Sequence, residues 1–232
     1  MSRTLAQFIR DWRDKKEEYR QQHLEKPAEL KIFNPLQLRI GDFLLTSQVP
    51  ELAARKMVNL TIFEIDAAAL IVGSKRFEHV DYLGSDGEQW CIVRVNPRED
   101  ALPSAQQSDT TVLFLYCEIE FDQELVERVL PTGMFSIFDV LGDTSSAVLT
   151  FTRLNAELGI KDPWDVRLEK VTDPHLQFPA QEKIKMWDFG RTCEDGRTEY
   201  LYVEMSEENG KIQMFRGYNT EETNIFPVQV AH

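Results

Sequence analysis

The sequence has little of what usually announces chemistry. Its three cysteines, Cys91, Cys117 and Cys193, are far apart, odd in number and without a C-x-x-C pair, so neither a disulfide framework nor a zinc knuckle is indicated. Four histidines, His23, His79, His175 and His232, stand isolated, and no H-E-x-x-H occurs. The eleven glycines are scattered as turn residues. They form no G-x-G-x-x-G or G-x-x-x-x-G-K-[ST] cradle for phosphates, and there is no G-x-S-x-G nucleophile elbow. The common hydrolases and nucleotide enzymes are thereby disfavoured, and any site must be assembled from residues distant in the chain. No apolar run approaches the roughly 18 to 20 residues that cross a bilayer, and MSRTLAQFIRDWRDKK lacks the apolar core of a signal peptide. The expectation is a cytoplasmic protein with no direct membrane insertion.

What is present is apolar and acidic. In 232 residues, 42% hydrophobic and 10% aromatic side chains suffice to fill a core without covalent staples. Residues 1–31 carry eight Lys/Arg and six Asp/Glu, net +2, within a chain of net charge −13, so the remaining body is strongly negative. Such a body repels phosphates and anionic lipid. Nucleic acid is excluded as a broad-surface ligand, and a basic partner fits better.

Along the chain, Thr4 and Gln7 make a capping-box signal, Leu5, Phe8, Ile9 and Trp12 share one helical face, and Pro27 follows. This predicts an amphipathic helix at about residues 4–25, which either packs on its own domain or docks a partner. After it, strands dominate. LQLRIGDFLL, NLTIFEID and AALIVGSKRF read as β runs, and PELAARKM between them as one or two helical turns behind Pro50. Asp86-Gly87 marks a hairpin, TVLFLYCEIEF a buried strand, DQELVERVL a short helix, and SIFDVLGDTSSAVLTFTRL a further strand pair. In EDGRTEYLYVEMSEENGKIQMFRG, Glu199, Leu201, Val203 and Met205 point one way and Tyr200, Tyr202 and Glu204 the other, with Asn209-Gly210 as the turn. DGEQWCIVRV and DGRTEYLYVEM echo each other.

The fold expected is α+β: mainly antiparallel sheet in two related β lobes, with an N-terminal amphipathic helix. The boundaries are 1–30 for the helix, 31–130 for the first lobe and 131–232 for the second.

Candidate chemistry is sparse. Glu204, Glu207 and Glu208, with Asp195 across the meander, offer oxygen ligands for a hard cation, but at a spacing equally suited to a solvated hairpin tip. Asp81, Asp86, Glu88 and Asp188 are possible acid/base carboxylates among 39 acids. Trp90, Trp187, Tyr200, Tyr202 and Phe215 either pack the core or line a groove. An outward Tyr200/Tyr202 pair beside Arg216 would be an interface.

The segments LQLRIGD, DYLGSDGEQWCIVRVN, VLFLYCEIEF, LTFTRL and RTEYLYVEMSEENGKIQMFRG, within residues 36–217, resemble the YjfK-like family of bacterial proteins. That resemblance implies a role in envelope stress, beside PspA-type coiled-coil membrane-remodelling proteins, with no transferable catalytic residue. The reading is therefore a non-enzymatic, cofactor-free adaptor. Its partner-binding residues are Phe8, Trp12, Tyr200, Tyr202, Glu204, Glu207, Glu208 and Arg216, facing a basic or coiled-coil helix. The rival is an enzyme or small-ligand- or metal-binding domain with a carboxylate-and-aromatic cleft. A cleft collecting His79 or His175 with several acids favours the rival; an exposed aromatic strand without a pocket favours the adaptor.

Overall fold

In a computed structural model of the protein, the described residues are 35–72, 75–97, 108–139, 147–154, 162–172, 180–220 and 224–230. They form twelve strands: β1 (Phe43–Leu45), β2 (Asn59–Val72), β3 (Lys75–Ser85), β4 (Trp90–Pro97), β5 (Ser108–Ile119), β6 (Met134–Phe138), β7 (Val148–Arg153), β8 (Trp164–Val171), β9 (Ala180–Thr192), β10 (Thr198–Ser206), β11 (Ile212–Thr220) and β12 (Phe226–Val228). A one-turn helix, α1 (Pro50–Ala54), follows β1, and a π-type turn (Leu125–Val129) runs into a 3₁₀ turn (Leu130–Thr132) before β6.

Eight strands close on themselves. Every pairing is antiparallel, and the order β2-β3-β4-β5-β11-β10-β9-β8 returns to β2 through the register Ile65↔Val171 to Leu70↔Val166. This is an eight-stranded antiparallel barrel, a size at which side chains fill the interior or leave room for one small ligand. The long strands β2 and β9 each serve two neighbours on one edge. β2 pairs β1 near its start and β8 further on, while β9 pairs β8 first and β7 later.

Those extra pairings carry covering layers to the outside of the barrel. Leu36, Leu38, Leu44, Val49, Leu52 and Met57 pack over Tyr82, Val93 and Val112 on one side, where Leu36 N–H donates to the Tyr82 hydroxyl at 3.2 Å. On another side Leu130, Phe135, Ile137 and Phe151 pack over Trp187, Phe189, Leu201 and Val203. The lumen holds a third apolar group that includes Ile92, Leu113, Val166, Leu168, Met186, Tyr202 and Phe215.

The fold class expected from the sequence is thus corrected. The described chain is a mostly β structure built on a barrel, not α+β, and it is not two separate β lobes: β2–β5, from before residue 130, and β8–β11, from after it, are the two halves of one closed sheet, joined by β11 on β5 and β8 on β2. The echoing Asp-Gly runs supply two separate turns, with Gly87 (φ +98) joining β3 to β4 and Gly196 (φ +82) joining β9 to β10. The N-terminal helix, with Phe8 and Trp12, lies outside the described residues, as does His175. Of LQLRIGDFLL only Phe43–Leu45 pairs as a strand, because Leu36, Leu38 and Ile40 serve as packing anchors instead. Two runs read separately, NLTIFEID and AALIV, are one continuous strand. No helix among the described residues is long and apolar enough to cross a membrane.

Candidate ligand site in the barrel lumen

Alternation along each strand sends every second side chain into the lumen. Cross-strand pairs confirm which these are: Asp66 faces Asp81 and Lys170, Asp81 faces Arg94, and Glu204 faces Gln213 and Met186. Charged groups thereby meet inside a barrel that also holds an apolar group of interior side chains.

Arg94, 2% exposed, organises the middle of the lumen. Its Nε and Nη2 donate to both Asp81 oxygens at 2.8 and 2.7 Å, Nη2 also reaches Glu204 Oε1 at 2.9 Å, and its guanidinium lies 4.4 Å over the Tyr202 ring. The two-pronged contact with Asp81 matches guanidinium geometry to carboxylate geometry. Burial acts to raise the Asp81 carboxyl, but the Arg94 charge and its hydrogen bonds override that and hold it below the usual range. Glu204 receives a single bond; burial dominates there and pushes its carboxyl up. His79 Nε2 stands 3.8 Å from Asp81 Oδ2, and burial followed by the Arg94 charge drives the imidazole down to about 3, so it is neutral at physiological pH.

Toward the end that carries the β3–β4 and β10–β11 turns lies a cavity of about 270 Å³. Its charged wall consists of Glu64, Asp66, Asp81, Glu182, Glu204 and the cations Lys170 and Lys211; Trp90, Phe215, Ile92 and Leu83 supply an apolar side. Lys170 bonds Glu182 at 3.0 Å and stands 3.7 Å from both Glu64 and Asp66. Burial opposes the Lys170 charge, yet Asp66, Glu182 and Glu64 together raise its pKa. Asp66 is 7% exposed, and its Oδ1 has no hydrogen-bonding partner. Burial, followed by the nearby Glu64 and Asp81 charges and partly offset by Lys170, lifts the Asp66 carboxyl to about 8. Trp90 meets Phe215 edge-on at 6.3 Å.

A second depression, of about 560 Å³, is walled by Arg167, Glu169, Gln181, Lys183, Glu207 and Glu208 beside Leu168 and Glu182. Most of those side chains are solvated, and nothing there is built around a buried polar group.

The residues expected to bind a partner are divided between surfaces. Tyr202 is buried and Tyr200 half-buried, stacked on each other at 6.0 Å inside the barrel, and Glu204 joins them there. Arg216 points to the opposite face of the sheet, where it is buried between Glu199 and Asp139. The outward Tyr200/Tyr202 pair beside Arg216 is therefore corrected: neighbouring residues on one strand project to opposite sides, and covering layers bury the outer side too. Glu207 and Glu208 are exposed on the β10–β11 turn, whereas Asp195 caps the turn at the other end of β10 through Arg197, so the four carboxylates do not converge. Among the described residues no three His, Cys, Asp or Glu side chains are grouped to hold a metal ion. Of the acid/base candidates, Asp86 caps its own turn by accepting from Glu88 and Gln89 N–H, and Asp188 is fixed by Trp164 Nε1 and Arg153 Nε; only Asp81 lines the cavity. Glu64, Asp66, Arg94, Lys170 and Glu182 were missed. Charged residues at inward positions of otherwise apolar strands, such as Arg94 in WCIVRV, were the available signal.

No protein-family model matches the chain, nor does any curated protein or solved structure.

Proposed function

We propose that this protein is a non-enzymatic binding module that holds a small molecule in its barrel lumen. The observation that supports this most is the cavity itself: it is interior, of about 270 Å³, and lined by convergent charged groups on one side and aromatic and aliphatic groups on the other. Ligand sites of this kind occupy the mouths of β-barrels. The cavity joins several acids to aromatic side chains, as the ligand-binding alternative expects of its cleft, while His79 is not on its wall and stands behind Asp81 at 3.8 Å. Catalysis finds less support, because Asp81 and Glu204 are engaged by Arg94 and His79 is neutral and enclosed.

An adaptor that engages a basic or PspA-type coiled-coil helix rests on Glu207 and Glu208 alone among the described candidates, since these remain exposed. Surface carboxylates at a turn give steering more than affinity.

The experiment is a thermal-shift screen of the full chain against small cationic, neutral and anionic compounds, repeated with Leu83→Trp, which fills the cavity from its apolar wall. A ligand that raises Tm in the parent by mass action and has no effect on a folded Leu83→Trp supports a lumen site. Equal shifts in both proteins would move binding to the outer surface.

A further inference from the structure

We infer that the lumen site takes an organic ammonium ion, a primary amine on a small apolar body, and that it does so by exchanging that cation for a proton held on Asp66. The inference rests on the binding-module reading and specifies its ligand.

The charge count comes first. Five carboxylates line the cavity, and two interior cations answer them: Arg94 serves Asp81 and Glu204, and Lys170 serves Glu182 with a hydrogen bond. Lys211, at the rim, is committed to Glu118 at 2.7 Å. Glu64 and Asp66 are left with Lys170 at 3.7 Å, a separation too long for a hydrogen bond. Asp66 is more than nine-tenths buried, and no donor reaches its Oδ1. A buried carboxyl without a donor is costly as an anion, so Asp66 keeps a proton.

An ammonium group supplies what this pair lacks, three N–H donors and a positive charge. The rest of the lining suits the rest of such a molecule: Trp90 and Phe215 add aromatic surface, and Leu83 and Ile92 accommodate hydrocarbon. A bare hard cation asks for more oxygen ligands than Glu64 and Asp66 supply, and Asp81, Glu204 and Glu182 are already bonded to Arg94 and Lys170. An anion would meet five carboxyl groups.

The exchange has a definite sign. Around Asp66 the charged groups are Glu64 on β2, Asp81 on β3, Arg94 on β4, Lys170 on β8, Glu182 on β9, Glu204 on β10 and Lys211 on β11. His79 is neutral above about 3. Alkyl amines stay protonated up to about pH 10, as lysine does. Below about 8 the incoming cation must therefore displace the Asp66 proton; above it the carboxylate is already free. Affinity rises with pH and levels off near 8, with up to one proton released per amine bound at lower pH.

The test is calorimetric titration of the full chain with 2-phenylethylamine at about pH 6 and about pH 8, in pairs of buffers with different ionisation enthalpies. Phenylacetate and 2-phenylethanol serve as anionic and neutral counterparts. Saturable amine binding that tightens roughly tenfold or more over that interval, with proton release at the lower pH, is the expected result. Asp66→Asn should bind weakly and lose both effects, and Asp66→Ser provides the same readout should the first variant fold poorly. Binding of phenylacetate or phenylethanol in preference to the amine would overturn the ammonium assignment while leaving a lumen ligand site standing. Amine binding with no pH dependence and no proton release would overturn the exchange. Failure of all three compounds would overturn both this inference and the binding-module reading for ligands of this size.

Discussion

Arg94 is the residue on which the interior depends. It is nearly inaccessible, and three of its contacts are to the buried Asp81 and Tyr202 and the half-buried Glu204. Replacing a whole buried ion cluster by apolar side chains is often neutral, but removing one partner leaves uncompensated charge. Arg94→Leu is therefore expected to destabilise the fold by about 3 to 5 kcal/mol in a urea melt at neutral pH. Adding Asp81→Leu and Glu204→Leu should restore a large part of that loss, because the orphaned carboxylates are gone. An Arg94→Leu variant as stable as the parent would show that the cluster is solvated rather than buried. The sequence reveals such a residue only partly: an arginine at an inward position of WCIVRV is visible, but its carboxylates come from β3 and, far along the chain, from β10.

At the level of elements, the hairpins were legible and the closure was not. Asp86-Gly87 and Asn209-Gly210 sit where expected, since turn chemistry is local; Gly210 adopts φ +72 in a turn spanning Glu207–Gly210, and Lys211 N–H donates to Asn209 Oδ1. The alternation of Tyr200, Tyr202 and Glu204 against Leu201, Val203 and Met205 was also correct. What alternation cannot tell is which face is inside when both are covered, and here the apolar face of β10 lies under an outer layer while the polar-aromatic face lines the lumen. Closure rests on pairings such as Ala68 with Leu168 and Gly217 with Leu113, which no window of sequence contains. The last of these is tight. A Cβ at Gly217 would stand 1.8 Å from the Val112 carbonyl oxygen, backbone that cannot swing aside as a side chain does. Gly217→Ala should accordingly separate β11 from β5 and cost about 4 kcal/mol or more, read as a large fall in Tm and loss of cooperative unfolding. A melting curve close to that of the parent would contradict the close approach of these two strands.

The whole molecule has its acidity distributed with a purpose that net charge alone did not convey. A body of strongly negative charge was read as a surface for a basic partner, yet five of its carboxylates line an internal cavity and answer to Arg94 and Lys170. The barrel makes this arrangement affordable: continuous backbone pairing frees the interior to hold polar groups, and layers outside the wall supply the apolar burial that the lumen gives up. A lumen ligand site is the central claim, and it is tested most directly by following the backbone amides and the Trp90 indole of the isotopically labelled full chain by NMR during titration with 2-phenylethylamine at about pH 8. Shifts gathered on inward residues of several strands at once, Glu64, Asp66, Trp90, Lys170, Glu182 and Phe215, are the predicted result. Shifts confined to the exposed Glu207 and Glu208 turn, or none at saturating amine, would contradict it.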